Sequence, residues 1–94
     1  MPESPNGKPK KLDILVVNDE ADAPSILNPM SGQIFITNQV GKRIMELCDG
    51  TRDVPGIVEE LTRQFKGVSR ETAAHDAETF LAESAKKGLI TWTH

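Results

Sequence analysis

Ninety-four residues carry 11 Lys and Arg against 14 Asp and Glu, a net charge of −3; a chain of this size has room for one small domain and none for a separate cofactor domain. The mildly acidic balance lacks the Lys- and Arg-rich footprint of a nucleic-acid partner, and no run approaches the roughly 20 apolar residues that cross a bilayer. With one cysteine no intramolecular disulfide forms, and the N-terminus shows no pattern of charged, apolar and small residues like a secretion signal, so the expected setting is the cytoplasm, with no membrane partner.

In chain order, residues 1–11 hold three prolines, one glycine and three lysines with almost no apolar side chain, a composition that does not repay the entropy of ordering and predicts a flexible arm. The domain proper is expected over residues 12–94. Branched side chains over residues 12–17 predict a first strand, residues 18–23 a polar break, and residues 24–28 a second strand with Pro24 at its start. Asn28-Pro29-Met30-Ser31-Gly32 carries turn chemistry, since proline presets φ and glycine accepts a positive one. Residues 33–37 then close a hairpin as the third strand.

From Asn38 the apolar period changes from two to 3.6, with Val40, Ile44 and Leu47 on one helical face and Asn38 as N-cap. Asp49-Gly50 ends that helix. Asp53 caps a second, which places Pro55 in its first turn and buries Val54, Ile57, Val58, Leu61 and Phe65. Ser69 caps a third, with the inner stripe Ala73, Ala77, Phe80, Leu81 and Ser84; Gly88 suits the left-handed position after it, and residues 89–92 form a short extended tail. Trp92 is expected to pin that tail back onto the sheet. The order predicts an α+β domain, a small three-stranded antiparallel sheet followed by three helices. A sheet this small leaves an unpaired edge, and that edge is where function can sit.

Pro29 and Gly32 in the turn, Asn38 followed by Ile44, Asp49-Gly50-Thr51-Arg52, Ile57 and Leu61, Asp76 with Phe80-Leu81, and Gly88-Leu89 follow one another in an order and spacing that resembles the PqqD family of small peptide chaperones. The resemblance covers residues 28–89. It implies a fold similar to a winged helix-turn-helix and a non-catalytic adaptor in pyrroloquinoline quinone biosynthesis or a related peptide-modification pathway. Such an adaptor captures the leader of a ribosomally made precursor peptide by strand addition and presents it to a modifying enzyme, typically a radical S-adenosylmethionine enzyme. The guest joins the edge of the third strand and lies in a cleft walled by the third helix, a mode in which edge N–H and C=O groups supply affinity and alternate side chains supply selectivity. On this resemblance the peptide-binding residues are Ile34, Phe35, Ile36 and Thr37 from the strand and Phe80, Leu81, Ser84 and Ala85 from the helix. The chain departs from the family pattern at Met30, Thr37, Gly56 and Ser84; the last replaces a bulky apolar residue and widens or wets the cleft.

The residues offer little else. His75 and Asp76 are adjacent on a helix and so do not face each other, Cys48 reads as a small core hydrophobe, and no set of cysteines and histidines has zinc spacing, so no catalytic residue, metal or cofactor is expected. A winged-helix DNA-binding module is the rival reading, but the third helix sets Arg70, Lys86 and Lys87 among Glu71, Asp76, Glu78 and Glu83, a poor match to a phosphate-facing recognition helix. The exposed edge also fits either a monomer or a weak edge-to-edge dimer.

Overall fold

The computed structural model describes residues 7–20 and 22–93; residues 1–6 of the predicted arm, Ala21 of the predicted polar break, and His94 lie outside the described residues. In chain order the elements are β1 (Lys8–Lys11), β2 (Val16–Asn18), β3 (Ser25–Asn28), β4 (Gln33–Ile36), α1 (Gln39–Leu47), α2 (Val54–Gln64), α3 (Arg70–Lys86) and β5 (Ile90–Thr93). The predicted α+β architecture is present as an antiparallel sheet ordered β2-β3-β4 followed by three helices, and a second sheet pairs β1 with β5.

That second sheet corrects the flexible-arm reading for residues 8–11. Pro9 is fully buried opposite a half-buried Trp92, the Lys11 N–H donates to the Cys48 carbonyl at 2.8 Å, and the Gly50 N–H donates to the Pro9 carbonyl at 3.0 Å. Proline has no N–H to lose from a ladder, so a strand with a neighbour on each side accommodates it only where its carbonyl does the pairing. All of these partners are distant in sequence, and local composition carries no trace of them. Trp92 therefore pins the tail against β1, not against the three-stranded sheet. The run at residues 12–17 is likewise not one strand: the Leu15 N–H turns back to the Leu12 carbonyl at 3.2 Å, Leu15 drops into the core, and regular pairing begins only at Val16.

In the three-stranded sheet Val16 stands opposite Leu27 and Leu27 opposite Ile34, while Val17, Ile26 and Phe35 form the next row. Because successive side chains alternate faces, the row with the buried Ile26 looks toward the helices and the row with Ile34 looks away. The β3–β4 turn closes with the Gly32 N–H on the Asn28 carbonyl at 2.8 Å, and Gly32 takes φ 75°, where a Cβ would be strained.

Each helix begins on the predicted cap. The side chains of Asn38, Asp53 and Ser69 accept from the N–H groups of Gly41, Gly56 and Thr72 at 2.8, 2.9 and 3.1 Å, which satisfies donors that the first helical turn leaves free. Helix α3 ends in a Schellman arrangement: Gly88, at φ 73°, donates to Ala85 at 3.1 Å and Leu89 donates to Ser84 at 2.9 Å. The reversal drops Leu89 into the core and launches β5. Ile26, Ile44, Met45, Leu47, Cys48, Ile57, Leu61, Leu81 and Leu89 form the centre of that core. Among the described residues no helix is long and apolar enough to cross a membrane.

Cys48 is wholly buried, its thiol donating to the Ile44 carbonyl at 3.1 Å, and burial, aided by the nearby Asp49 charge, pushes its pKa from 9.0 up to about 12. Alkylation at pH 8 is therefore expected to run roughly a thousandfold slower in the folded protein than in denaturant, because the thiolate is the nucleophile. The folded pKa lies above the unfolded one, so this group's contribution is intact below pH 9 and is lost as the pH rises toward 12. Truncating the buried Leu81 to alanine should cost about 2–5 kcal/mol, read as a lowered midpoint in urea unfolding with an unchanged slope.

Candidate functional site

Helix α3 buries Ala73, Ala77, Leu81 and Ser84. A 3.6-residue repeat then turns Asp76, Phe80, Glu83 and Lys87 together toward a second direction, and that direction is β4. Between the two lies a cleft of about 390 Å³. One wall is Phe35, Ile36 and Thr37, continued by Asn38, Val40 and Gly41 at the start of α1; the other is His75, Asp76, Thr79, Phe80, Glu83, Ser84 and Lys87; Ile26, Ile44 and Leu89 close the floor.

The close approach of α1 to this cleft depends on Gly41. A Cβ there would stand 2.0 Å from Thr37 Oγ1 and 3.0 Å from Phe80 Cε1, so only a bare backbone lets Thr37 and the Phe80 ring meet over the helix. Lys87 holds its ammonium 4.8 Å from the centroid of the Phe35 ring, within cation–π range, with Glu83 Oε1 at 3.9 Å. Phe35 thus lies beside Lys87 and Thr37 beside Phe80, which makes β4 antiparallel to α3. The cleft carries a cation at its Phe35 end and the exposed Asp76 and His75 at its α1 end.

The outer edge of β4 has no strand beside it, because β3 is its one sheet neighbour among the described residues. The Thr37 N–H donates to the Pro24 carbonyl at 2.8 Å, and alternation along the antiparallel register then directs the Phe35 N–H and C=O toward Ile26. The N–H and C=O groups of Ile34 and Ile36 point the other way, out of the sheet. An unpaired row of this kind is a template for a further strand.

The sequence-derived residues divide accordingly. Phe35, Ile36, Thr37, Phe80 and Ser84 line the cleft. The Ile34 side chain stands on the opposite face of the sheet, 60% exposed, while Leu81 is buried and Ala85 is half-buried against the core. Sequence reasoning passed over Val40, Gly41, Asp76, Glu83 and Lys87 as cleft residues. A signal was present for four of the five: Gly41 interrupts α1 where alanine would be favoured, and Asp76, Glu83 and Lys87 stand four, three and seven positions from Phe80 on one face of α3.

Asp49-Gly50-Thr51-Arg52 lies outside the cleft. Asp49 accepts from the Thr51 hydroxyl and from the Thr51 N–H at 3.0 Å and pairs with Arg52 at 3.2 Å, and the Thr51 hydrogen bonds hold its carboxyl below the usual carboxylate range. With Lys10 bridged to Asp49, this segment ties the α1–α2 link to β1. Among the described residues no three His, Cys, Asp or Glu side chains gather as a metal site.

This geometry has relatives. The chain has 28% sequence identity and a TM-score of 0.69 to the structure of TbiB1 in complex with the TbiA(beta) leader peptide, over 86% of this chain and 93% of that one. It has 15% identity and a TM-score of 0.70 to lasso peptide synthetase B1 complexed with the leader peptide, over 89% of this chain and 98% of that one, a likeness of fold. No curated protein matches the chain. The family model described as Coenzyme PQQ synthesis protein D (PqqD) matches residues 25–90, from the first residue of β3 to the first of β5, and the chain therefore belongs to the PqqD family.

Proposed function

We propose that this protein is a non-catalytic adaptor that captures the leader segment of a ribosomally made precursor peptide and presents it to a modifying enzyme. The observation that carries this reading is the unpaired β4 edge running along a cleft with Phe35, Val40 and Phe80 in its walls. A guest strand laid beside β4 accepts hydrogen bonds from the outward N–H groups of Ile34 and Ile36 and donates to their C=O groups, whatever its sequence. Every second guest side chain then enters the cleft against Phe35, Val40 and Phe80, where burial supplies selectivity. The leader-peptide complex of TbiB1, a structure of the same architecture, supports the choice of guest. The family supports a place in pyrroloquinoline quinone biosynthesis or a related peptide-modification pathway in the cytoplasm, with a radical S-adenosylmethionine enzyme as the acceptor of the loaded adaptor.

The rival DNA-binding reading gains nothing from the fold. Over Arg70–Lys86 and the following Lys87 there are three cations and four carboxylates, and a recognition helix presenting its solvent face would turn the exposed Glu71 and Glu78 toward phosphate. Random duplex at low salt is expected to show no retardation by this protein; a shifted band that vanishes with added salt would reverse that choice.

Proline substitutions test the edge directly. Ile34→Pro and Ile36→Pro each remove an outward donor and leave the β3–β4 ladder bonds in place, so both variants should fold and lose at least about tenfold in affinity for the precursor peptide encoded beside this chain, measured by titration calorimetry. Phe35→Pro instead breaks the bond to Ile26 and should lower the unfolding midpoint. Full affinity in both edge variants would show that the guest does not pair with β4.

A further inference from the structure

On the outer face of the three-stranded sheet Asn18 and Ser25 are polar, but the row Val16-Leu27-Ile34 and both β4 positions are apolar, where a solvent-facing antiparallel sheet is normally polar. Ile34 is 60% exposed, Ile36 69% and Val16 44%, and Leu27 lies between Val16 and Ile34 in one row across the strands. By alternation these side chains leave the sheet on the face opposite Ile26; Ile36 also borders the cleft, but Val16, Leu27 and Ile34 do not line it, and the cleft does not explain them. Their position does. A strand added at the β4 edge projects alternate side chains to the two faces of the sheet. Those it sends outward arrive beside Ile34 and Ile36, at the 4.5–5.5 Å separations of directly opposed residues or the longer diagonal ones.

We infer that this face is a second specificity surface for the same guest. It selects apolar, β-branched or aromatic side chains at the guest positions that do not enter the cleft, so that the recognised segment is apolar at consecutive positions instead of alternating apolar and polar. The occupant is the outward half of the captured peptide, and the surface is continuous with the proposed peptide edge because both are built from the same β4 residues. Ile34 and Ile36 thereby act twice, the backbone pairing with the guest and the side chains reading it. This inference rests on the peptide-adaptor reading and adds to it a guest composition.

The probe is a phage-displayed library of random dodecapeptides, selected against the wild-type protein and against the Ile34→Thr/Ile36→Thr variant. Threonine keeps the β-branched shape and the backbone donors, so edge pairing survives while apolar contact is reduced. Selection on the wild type should enrich runs of three or more consecutive apolar residues. On the variant, enrichment at positions of one parity should persist while that at the other parity falls by about tenfold, the scale of one lost apolar burial. Alternating apolar and polar peptides from the wild type would overturn the inference without the variant and leave the adaptor reading intact. Unchanged selection by the variant would overturn it as well, and a self-association lost by that variant in sedimentation would assign the face to a second copy of the chain. Failure of any peptide to enrich on the wild type would remove the adaptor reading and this inference with it.

Discussion

The burial of one α3 stripe fixes most of what the molecule can do. Ala73, Ala77, Leu81 and Ser84 seat the helix on the core, and three of the four are small enough for close approach. Once that stripe is committed inward, helical geometry leaves Asp76, Phe80, Glu83 and Lys87 no direction but the neighbouring strand. The cleft is thus a by-product of core packing, held open on one wall by a rigid helix and on the other by a hairpin that leads into the α1 cap at Asn38. Gly41 completes it: without a side chain at that position, Thr37, Phe80 and α1 converge at one point. The Schellman turn at Gly88 stops the helix where Lys87 reaches the Phe35 ring.

A three-stranded sheet must leave edges, and natural proteins usually blunt them with charge, proline or a bulge. Here β4 reads Gln-Ile-Phe-Ile, with no charge and no proline along its open side. The second sheet shows the contrasting treatment. There β1 is closed between β5 and the Cys48–Gly50 segment, with Pro9 supplying a carbonyl where a carbonyl is needed. One chain has therefore sealed a lysine- and proline-rich strand and left an isoleucine-rich one open, and the proposed binding at the open one rests on that asymmetry. The inferred role of the exposed Ile34 and Ile36 side chains extends the same logic from backbone to side chains.

Much of this was legible in the residues. The helix caps Asn38, Asp53 and Ser69, the turn at Gly32 and the stop at Gly88 are local signals, each set by the hydrogen-bond or φ demands of a few neighbouring residues, and the structure has them where the sequence placed them. The alternation of residues 33–36 is local too. What local reasoning lost was partnership at long range. Residues 8–11 look incapable of order until Ile90–Thr93 and Cys48 are brought to them, and residues 12–17 look like one strand until Leu15 is claimed by the core. In the candidate site the same limit appears in finer form. The periodicity that names Phe80 names Leu81 as its neighbour, but only the packed helix shows that one faces the cleft and the other the core. Ala85 follows Leu81 inward, and the charged residues of the cleft follow Phe80 outward.

The central claim is that a guest strand pairs with β4, and amide hydrogen exchange of that strand tests it most directly. In the free protein the Phe35 and Thr37 amides are bonded within the hairpin and should exchange slowly, whereas those of Ile34 and Ile36 face solvent and should exchange fast. On saturation with the leader peptide the account predicts that Ile34 and Ile36 slow by about tenfold or more while Phe35 and Thr37 change little. Unchanged exchange at Ile34 and Ile36 in a saturated complex, with protection gained along α3 instead, would contradict it.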